Sequence, residues 1–227
     1  MKTTIIMCTW KRIKRLPITI EQLEKQTYKD FTFCVWNNNP EIKSEVDRIT
    51  GTSSLNTEVH HNPENIGGVG RFHYAKQKDG IIIFIDDDQE FDENMVEYMV
   101  NAYKPKHILS WYGWKIKGGY WKREQVFSGD CDYAGTCGMV VDSAVFKDPR
   151  LLSELPEKYK FVEDLWLCYF AKYEHGYKVQ ACTPPIRAIG DNKNQCQNLF
   201  KTKDLFYREL KQKYLSKPKT VKRPRLA

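Results

Sequence analysis

Gly80-Ile81-Ile82-Ile83-Phe84-Ile85-Asp86-Asp87-Asp88 sets five consecutive apolar residues directly before three carboxylates. A short unbroken apolar run after a glycine predicts a strand covered on both faces, as in a parallel sheet. Three adjacent acids cannot follow it into the core, because burying unpaired charge is too costly. They must emerge at the strand's carboxyl end, where open α/β sheets place their ligands. Carboxylates gathered there repel one another, and a hard divalent cation relieves that repulsion with oxygen ligands. The same acids also read as a solvated turn, or as an acidic cap for a helix starting near Asn94. For an isolated acid pair the plain turn is the better reading, so the flanking sequence decides.

Upstream, strands are predicted over residues 3–8, 31–36 and 57–60, with helices from Pro17 to about Gln26, over 41–50 and over 72–77. Asn37-Asn38-Asn39-Pro40 is a strong turn signal, and Asn62 to Arg71 is a glycine-rich loop opening a helix. This alternation predicts a parallel, nucleotide-binding half-sheet. Downstream of Tyr103 the character changes. Strands are predicted over 108–114 and 120–127 around a Gly118-Gly119 turn, then a loop over 133–138, a strand over 139–142 and a short helix over 143–146. A helix follows Glu163-Asp164 and stops at Gly176, a last strand covers 177–181, and a final helix covers 203–215.

Each candidate motif has a plain alternative. Gly67-Gly68-Val69-Gly70-Arg71 suits a phosphate cradle, with Arg71 as the cation for diphosphate. It equally suits a tight loop-to-helix junction, and it is neither G-x-G-x-x-G nor a Walker A loop. Asn37-Asn38 could hold a base or ribose, although turn chemistry alone accounts for them. Trp10 could stack on a ring or simply pack. Glu163-Asp164 are expected at a helix start as caps, and a carboxylate fixed there near a metal site is also a plausible general base. The five histidines lack metal-ligand spacing, and no Gly-x-Ser-x-Gly is present.

Composition sets outer bounds. The 227 residues suffice for one α/β domain with a sizeable core. No apolar stretch approaches a membrane span, and the start is too short for a signal-peptide core, which points to a cytosolic protein. Seven cysteines without a C-x-x-C pair favour buried reduced thiols over disulfides or zinc. The net charge of +7 gathers towards the carboxyl end, from Lys201 to Arg225. A solvated linker explains that tail better than a nucleic-acid contact, and it points to a further domain in a longer polypeptide.

Taken in order, the segments resemble the GT-A glycosyltransferases of the family-2 type. Ile5 to Arg12 is similar to their first strand and loop, and Glu24-Lys25-Gln26-Thr27-Tyr28 to their xxQTY helix end. Asn37-Asn38-Asn39 stands where they carry Asp-Asp/Asn-Gly/Ser, and Asn62 to Gly68 resembles their NxxNxG loop. Phe84 to Asp88 resembles Leu-Asp-x-Asp, and Glu163-Asp164 with Gly176-Tyr177-Lys178-Val179 resembles ED…GY-K/R-V. Six motifs in the right order carry the likeness. The small lysine-rich form also resembles glycosyltransferases encoded by large algal viruses.

The resemblance implies an α/β fold of GT-A type, a Rossmann-like mixed, mainly parallel sheet flanked by helices in a single domain over 1–205. The nucleotide-sugar half would span about 1–103 and the acceptor half about 104–205, with 206–227 as helix end and basic tail. It implies transfer from a nucleotide sugar, most often a UDP-linked hexose or deoxyhexose, to a hydroxyl of a glycan or glycoprotein with inversion. Thr9, Trp10 and Arg12 would line the base pocket, and Asn38 and Asn65 would hold uracil or ribose. Gly67, Gly68 and Arg71 would face the donor, Asp86 the ribose or sugar, and Asp88 would hold Mn²⁺ or Mg²⁺, with Asp87 mainly a turn residue. Asp164 would be the base, with Glu163 orienting it or the acceptor, and Tyr133-Ala134-Gly135 would shape the donor-sugar and acceptor pocket. Trp111, with Trp114 and Trp121, could form an acceptor platform, although packing explains them as well.

Two departures stand out. Asparagines replace the acid that usually reads uracil, and no histidine follows His175 to serve as the family's late metal ligand. Asp191 or Asn192, or water, would substitute. The Gln-x-x-Arg-Trp of processive synthases is absent. A nucleotidylyltransferase, or a non-catalytic sugar or nucleic-acid binding module, is the competing reading.

Overall fold

The computed structural model describes residues 1–190 and 199–215. Asp191, Asn192, Cys196 and the basic residues from Lys217 onward lie outside the described residues. The first half alternates as expected: β1 (Thr3–Thr9), α1 (Leu16–Glu24), β2 (Thr32–Asn37), α2 (Lys43–Gly51), β3 (Thr57–His61), α3 (Gly70–Gln77) and β4 (Ile81–Ile85). Then come β5 (Gln89–Phe91), α4 (Met95–Ala102), β6 (His107–Ser110), β7 (Gly113–Ile116), β8 (Arg123–Val126), β9 (Gly129–Asp130), β10 (Tyr133–Ala134) and β11 (Met139–Asp142). The chain continues through α5 (Arg150–Ser153), α6 (Glu163–His175), β12 (Lys178–Ala181), β13 (Ile186–Ala188) and α7 (Phe200–Leu215).

An eight-stranded sheet in the order β3-β2-β1-β4-β11-β6-β12-β9 forms the centre. Pairs from β3 to β4 are parallel, while β11 runs antiparallel to both β4 and β6. All five side chains of β4 are buried, as its unbroken apolar run requires, and each contributes on the order of 1.5–3 kcal/mol by leaving water. Two apolar clusters cover the two faces, one against α3 and α6, the other against α1 and α4. On α1, Leu16, Ile20 and Leu23 share the buried stripe that helical spacing dictates. Gln26, just past that helix, is fully buried: its Oε1 accepts from the Val96 backbone N–H at 2.8 Å and its Nε2 donates to the Asp92 carbonyl at 2.9 Å. It thereby satisfies an orphan amide at the start of α4. Gly176 ends α6 in the left-handed conformation, at φ +70°.

The second half departs from expectation in three places. The strand expected over 108–114 breaks into β6, in the main sheet, and β7, in a three-stranded sheet with β10 and β8. At the break, Trp111 N–H donates to the Gly138 carbonyl at 2.9 Å, and the Tyr112 carbonyl accepts from Gly135 at 2.9 Å. Gly113 permits the crossing, since a Cβ there would lie 2.6 Å from that of Ala181. The expected loop over 133–138 contributes β10. The strand over 177–181 is not the last: β13 follows and pairs with β5, forming a two-stranded ribbon beside the acid turn. The six described cysteines are free thiols, and no helix among the described residues is long and apolar enough to cross a membrane.

Candidate functional site

The acid turn lies where the strand pattern puts it. Asp86 follows β4, and its backbone N–H donates to Gln89 Oε1 at 2.8 Å, closing a turn through Asp87 and Asp88. Because β1 pairs parallel with β4, the loop after β1 reaches the same edge. Arg12 on that loop places Nη1 2.7 Å from Asp87 Oδ1 and Nη2 3.5 Å from Asp88 Oδ2. Burial pushes the Asp87 carboxyl up to about 6 despite the opposing pull of Arg12. Asp87 is thus a half-hidden partner of Arg12 within the turn.

The glycine-rich loop is shaped by close packing. Gly67 has φ +72°, and its N–H donates to Asn65 Oδ1 at 2.9 Å. A Cβ on Gly67 would meet the Phe161 ring at 2.6 Å, and one on Gly70 would meet Trp36 Nε1 at 2.3 Å. Gly68 faces Glu163 with no room for a side chain. The tight junction is therefore the geometric reason for these glycines. Asn38 is buried and holds the loop together. Its Oδ1 accepts from Trp36 Nε1 at 3.1 Å and from the Ile66 N–H at 3.3 Å, and its Nδ2 donates to the Gly67 carbonyl at 2.9 Å.

Arg71, at the start of α3, lies beneath the acids. Its Nη2 donates to Asp86 Oδ1 at 2.9 Å, and its Nε is 3.9 Å from Glu163 Oε1. Its Nε and Nη1 are buried with no hydrogen-bond partner among the described residues, and Thr9 Oγ1 is in the same condition. Three unsatisfied polar atoms beside a cavity are what a polar ligand would complete.

Glu163 and Asp164 open α6 at the same edge. Glu163 is buried. Desolvation pushes its carboxyl up, Arg71 pulls it down, and the neighbouring Asp164 charge pushes it up again. Asp164 Oδ1 accepts from the Leu165 N–H at 2.7 Å, and Oδ2 accepts from the Tyr133 hydroxyl. Burial and the Asp164 charge hold the Tyr133 phenol well above its ordinary value, so it remains a donor.

Two adjoining cavities converge here. The first, about 340 Å³, is lined by Cys8, Thr9, Trp10, Lys11, Arg12, Asn38, Asn65, Gly67, Gly68, Arg71, Asp86, Asp87, Asp88, Thr136, Phe161, Glu163, Asp164, Leu199 and Lys203. The second, about 200 Å³, is lined by Asp86, Tyr112, Trp114, Tyr120, Arg123, Tyr133, Gly135, Thr136, Cys137, Asp164 and Lys203. Four residues, Asp86, Thr136, Asp164 and Lys203, belong to both walls. All the residues expected around a donor, with both members of the Glu163-Asp164 pair, line the first cavity. Tyr133 and Gly135 line the second.

Trp111 and Ala134 line neither cavity. Trp111 packs on the apolar cluster under α4, and Ala134 is fully buried, its N–H donating to Cys168 Sγ at 3.3 Å. Aromatic content at 111, 114 and 121 could not separate the packing tryptophan from Trp114, which lines the cavity. Arg123 and Lys203 carry no sequence signal because each is an isolated cation within a mixed surface stretch. Thr136 and Cys137, adjacent to the expected sugar-pocket loop, carried no separate signal.

The acid turn fits a hard divalent cation in its donor chemistry: Asp86 and Asp88, each with one oxygen near an arginine, both line one cavity. Among the described residues no three His, Cys, Asp or Glu side chains converge as a metal cage. Two carboxylates, with the remainder supplied by phosphate and water, is the arrangement that Mg²⁺ favours with nucleotide substrates.

Residues 4–168 match the model of glycosyl transferase family 2. No curated protein sequence matches the chain. Among solved structures, S. aureus TarS is similar at 18% identity and a TM-score of 0.56, over 81% of this chain and 35% of that one. TarS 1-349 in complex with UDP-GlcNAc is similar at 18% identity and a TM-score of 0.57, over 81% of this chain and 56% of that one. For TarS 1-349 in complex with UDP the figures are 18%, 0.56, 81% and 58%. At this identity the likeness is one of fold, and this chain spans 35 to 58% of those three chains.

Proposed function

The chain belongs to glycosyl transferase family 2, and on that premise we propose that it transfers a sugar from a nucleotide-sugar donor to a hydroxyl of a glycan or glycoprotein acceptor. The observation that carries the reading is the shared wall. Asp164 and Asp86 belong both to the cavity built from the nucleotide-binding half and to the aromatic cavity beside it. A group passing from a donor in one to an acceptor in the other must cross at these residues.

The donor occupies the first cavity, with UDP as the nucleotide that the family resemblance and the UDP-bound neighbours favour. Trp10, partly exposed, offers its ring to the base, and Thr9 and Asn65 offer polar atoms to base or ribose. Asn38 already uses its carbonyl oxygen within the loop, so it supports the pocket more than it reads the base. Asp86 and Asp88 would hold Mn²⁺ or Mg²⁺, which when bound offsets charge on the diphosphate.

The acceptor sugar lies against Tyr112 and Trp114 in the second cavity. Asp164 removes the acceptor hydroxyl proton as that oxygen attacks the anomeric carbon opposite the departing diphosphate, which inverts the centre. The Tyr133 hydroxyl fixes one carboxylate oxygen of Asp164, and Glu163 steadies the site through Arg71.

Thermal-shift titration with UDP, GDP and dTDP sugars, each with and without Mn²⁺, tests the reading. A metal-dependent shift with one nucleotide sugar, followed by transfer to a glycan acceptor, is expected. No shift with any of them would remove it.

A further inference from the structure

We propose that Lys203 is the cation that meets the departing diphosphate. The assignment rests on the sugar-transfer reading above. Lys203 lies in the first turn of α7, outside the family-matched residues 4–168, and no motif announces it. It is one of the four residues common to both cavities, so it stands at the wall where the bond to the leaving group must break.

The other cations of the donor cavity are engaged. Arg12 is paired with Asp87 and Asp88, and Arg71 with Asp86 and Glu163. Lys11 is exposed, with its Nζ 4.0 Å over the Trp10 ring. Lys203 is half-buried, and no carboxylate among the described residues is ion-paired with it. Its ammonium therefore brings three donor hydrogens and a full charge to the site.

The helix that carries it is firmly seated. The Phe200 ring stacks on Trp121 with centroids 4.2 Å apart and planes 4° from parallel, and Trp121 Nε1 donates to the Phe200 carbonyl at 3.1 Å. One turn beyond Lys203, Phe206 stacks on Tyr159 at 4.0 Å, and Tyr207 and Leu210 are buried. Lys203 is thus held by packing on both sides of its own position.

In the transfer step the acceptor oxygen gives its proton to Asp164 and forms the bond to the anomeric carbon. The bond from that carbon to the β-phosphate oxygen breaks, and its electron pair stays on the diphosphate. The Lys203 ammonium donates to the phosphate oxygens as their negative charge grows.

Isothermal titration of wild type and Lys203→Met with UDP, GDP and dTDP, and with the matching monophosphates, tests the assignment. Methionine keeps the apolar stem, and a melting curve confirms the fold. A charge-assisted contact makes the expected loss about tenfold or more for the diphosphate that binds, with the monophosphate unchanged. Turnover falls with it, and Lys203→Arg restores most of both. Equal loss for mono- and diphosphate, or a change confined to the acceptor KM, overturns the role. Wild type binding a diphosphate that Lys203→Met binds equally well overturns Lys203 alone. Wild type binding none overturns the sugar-transfer reading and this assignment with it.

Discussion

Gly68 and Glu163 share a space that holds one side chain: a Cβ on Gly68 would lie 1.7 Å from Glu163 Oε1. The loop after β3 and the start of α6 are far apart in sequence, and this contact locks them together. Gly68→Ala must push a buried carboxylate aside, an overpacking cost of about 1–3 kcal/mol. Urea midpoints should fall accordingly, and Gly68→Ala with Glu163→Ala should recover most of the loss. An unchanged midpoint in Gly68→Ala would show that the two residues do not compete.

Glu163 makes stability depend on pH in a defined direction. Burial raises its folded pKa above the ordinary glutamate value, so the folded state binds the proton more tightly than the unfolded state. Its contribution is full below the unfolded pKa and is lost as pH rises through the raised folded pKa. Glu163→Gln cannot lose that proton. From acid to alkaline pH, wild type should therefore lose melting temperature relative to Glu163→Gln. A difference that stays flat with pH would mean that the carboxyl is not raised.

Asp164→Asn keeps the shape of the shared wall and removes the proposed base. Transfer should fall by about 10²–10⁴-fold, the usual contribution of a general base, while nucleotide affinity holds. Tyr133→Phe deletes one hydrogen bond to the same carboxylate and should cost transfer less, about tenfold. Full transfer by Asp164→Asn would take the residue out of its role.

Asn38→Ala separates loop scaffolding from nucleotide contact. It strips partners from Trp36 Nε1 and the Ile66 N–H, and each buried group left unsatisfied costs about 1–3 kcal/mol; the Gly67 carbonyl keeps its bond from the Gly70 N–H. Calorimetry should register a large drop in melting temperature. Asn65→Ala, which loses one local bond to Gly67, should register a small one. The reverse order would restore Asn38 as chiefly a ligand contact.

Chelation should abolish transfer, and Mn²⁺ or Mg²⁺ should restore it. Asp88→Asn should raise the cation concentration needed for half-maximal rate. Transfer that persists unchanged in excess EDTA would remove the metal from the reaction.

The first half of the fold was legible because its physics is local. Unbroken apolar runs, asparagine turns and a proline at a helix start mark β1 to β4 without reference to the rest of the chain. The second half depends on contacts between distant segments. The break at Trp111-Tyr112 is made by Gly138, Gly135 and the space above Ala181, and no window around residue 111 contains them. β5 and β13 have three residues each, too few for a period to register. The acids, the glycine loop and Glu163-Asp164 are marked by their order along the chain. Lys203 and Arg123 are not, since a single lysine or arginine between polar neighbours looks like any solvated surface charge.

β11 returns against the direction of the strands beside it. Its register with β4, Met139 opposite Phe84 through Asp142 opposite Ile81, closes the open side of a strand whose every side chain is buried. A polypeptide cut near residue 103 would leave that side as a bare, wholly apolar edge, the kind that templates strand addition from other molecules. The first half of the fold is therefore no portable module. Taken alone it would be prone to aggregate, and the segment that completes its sheet is the one whose entering loop carries Thr136 to the shared wall.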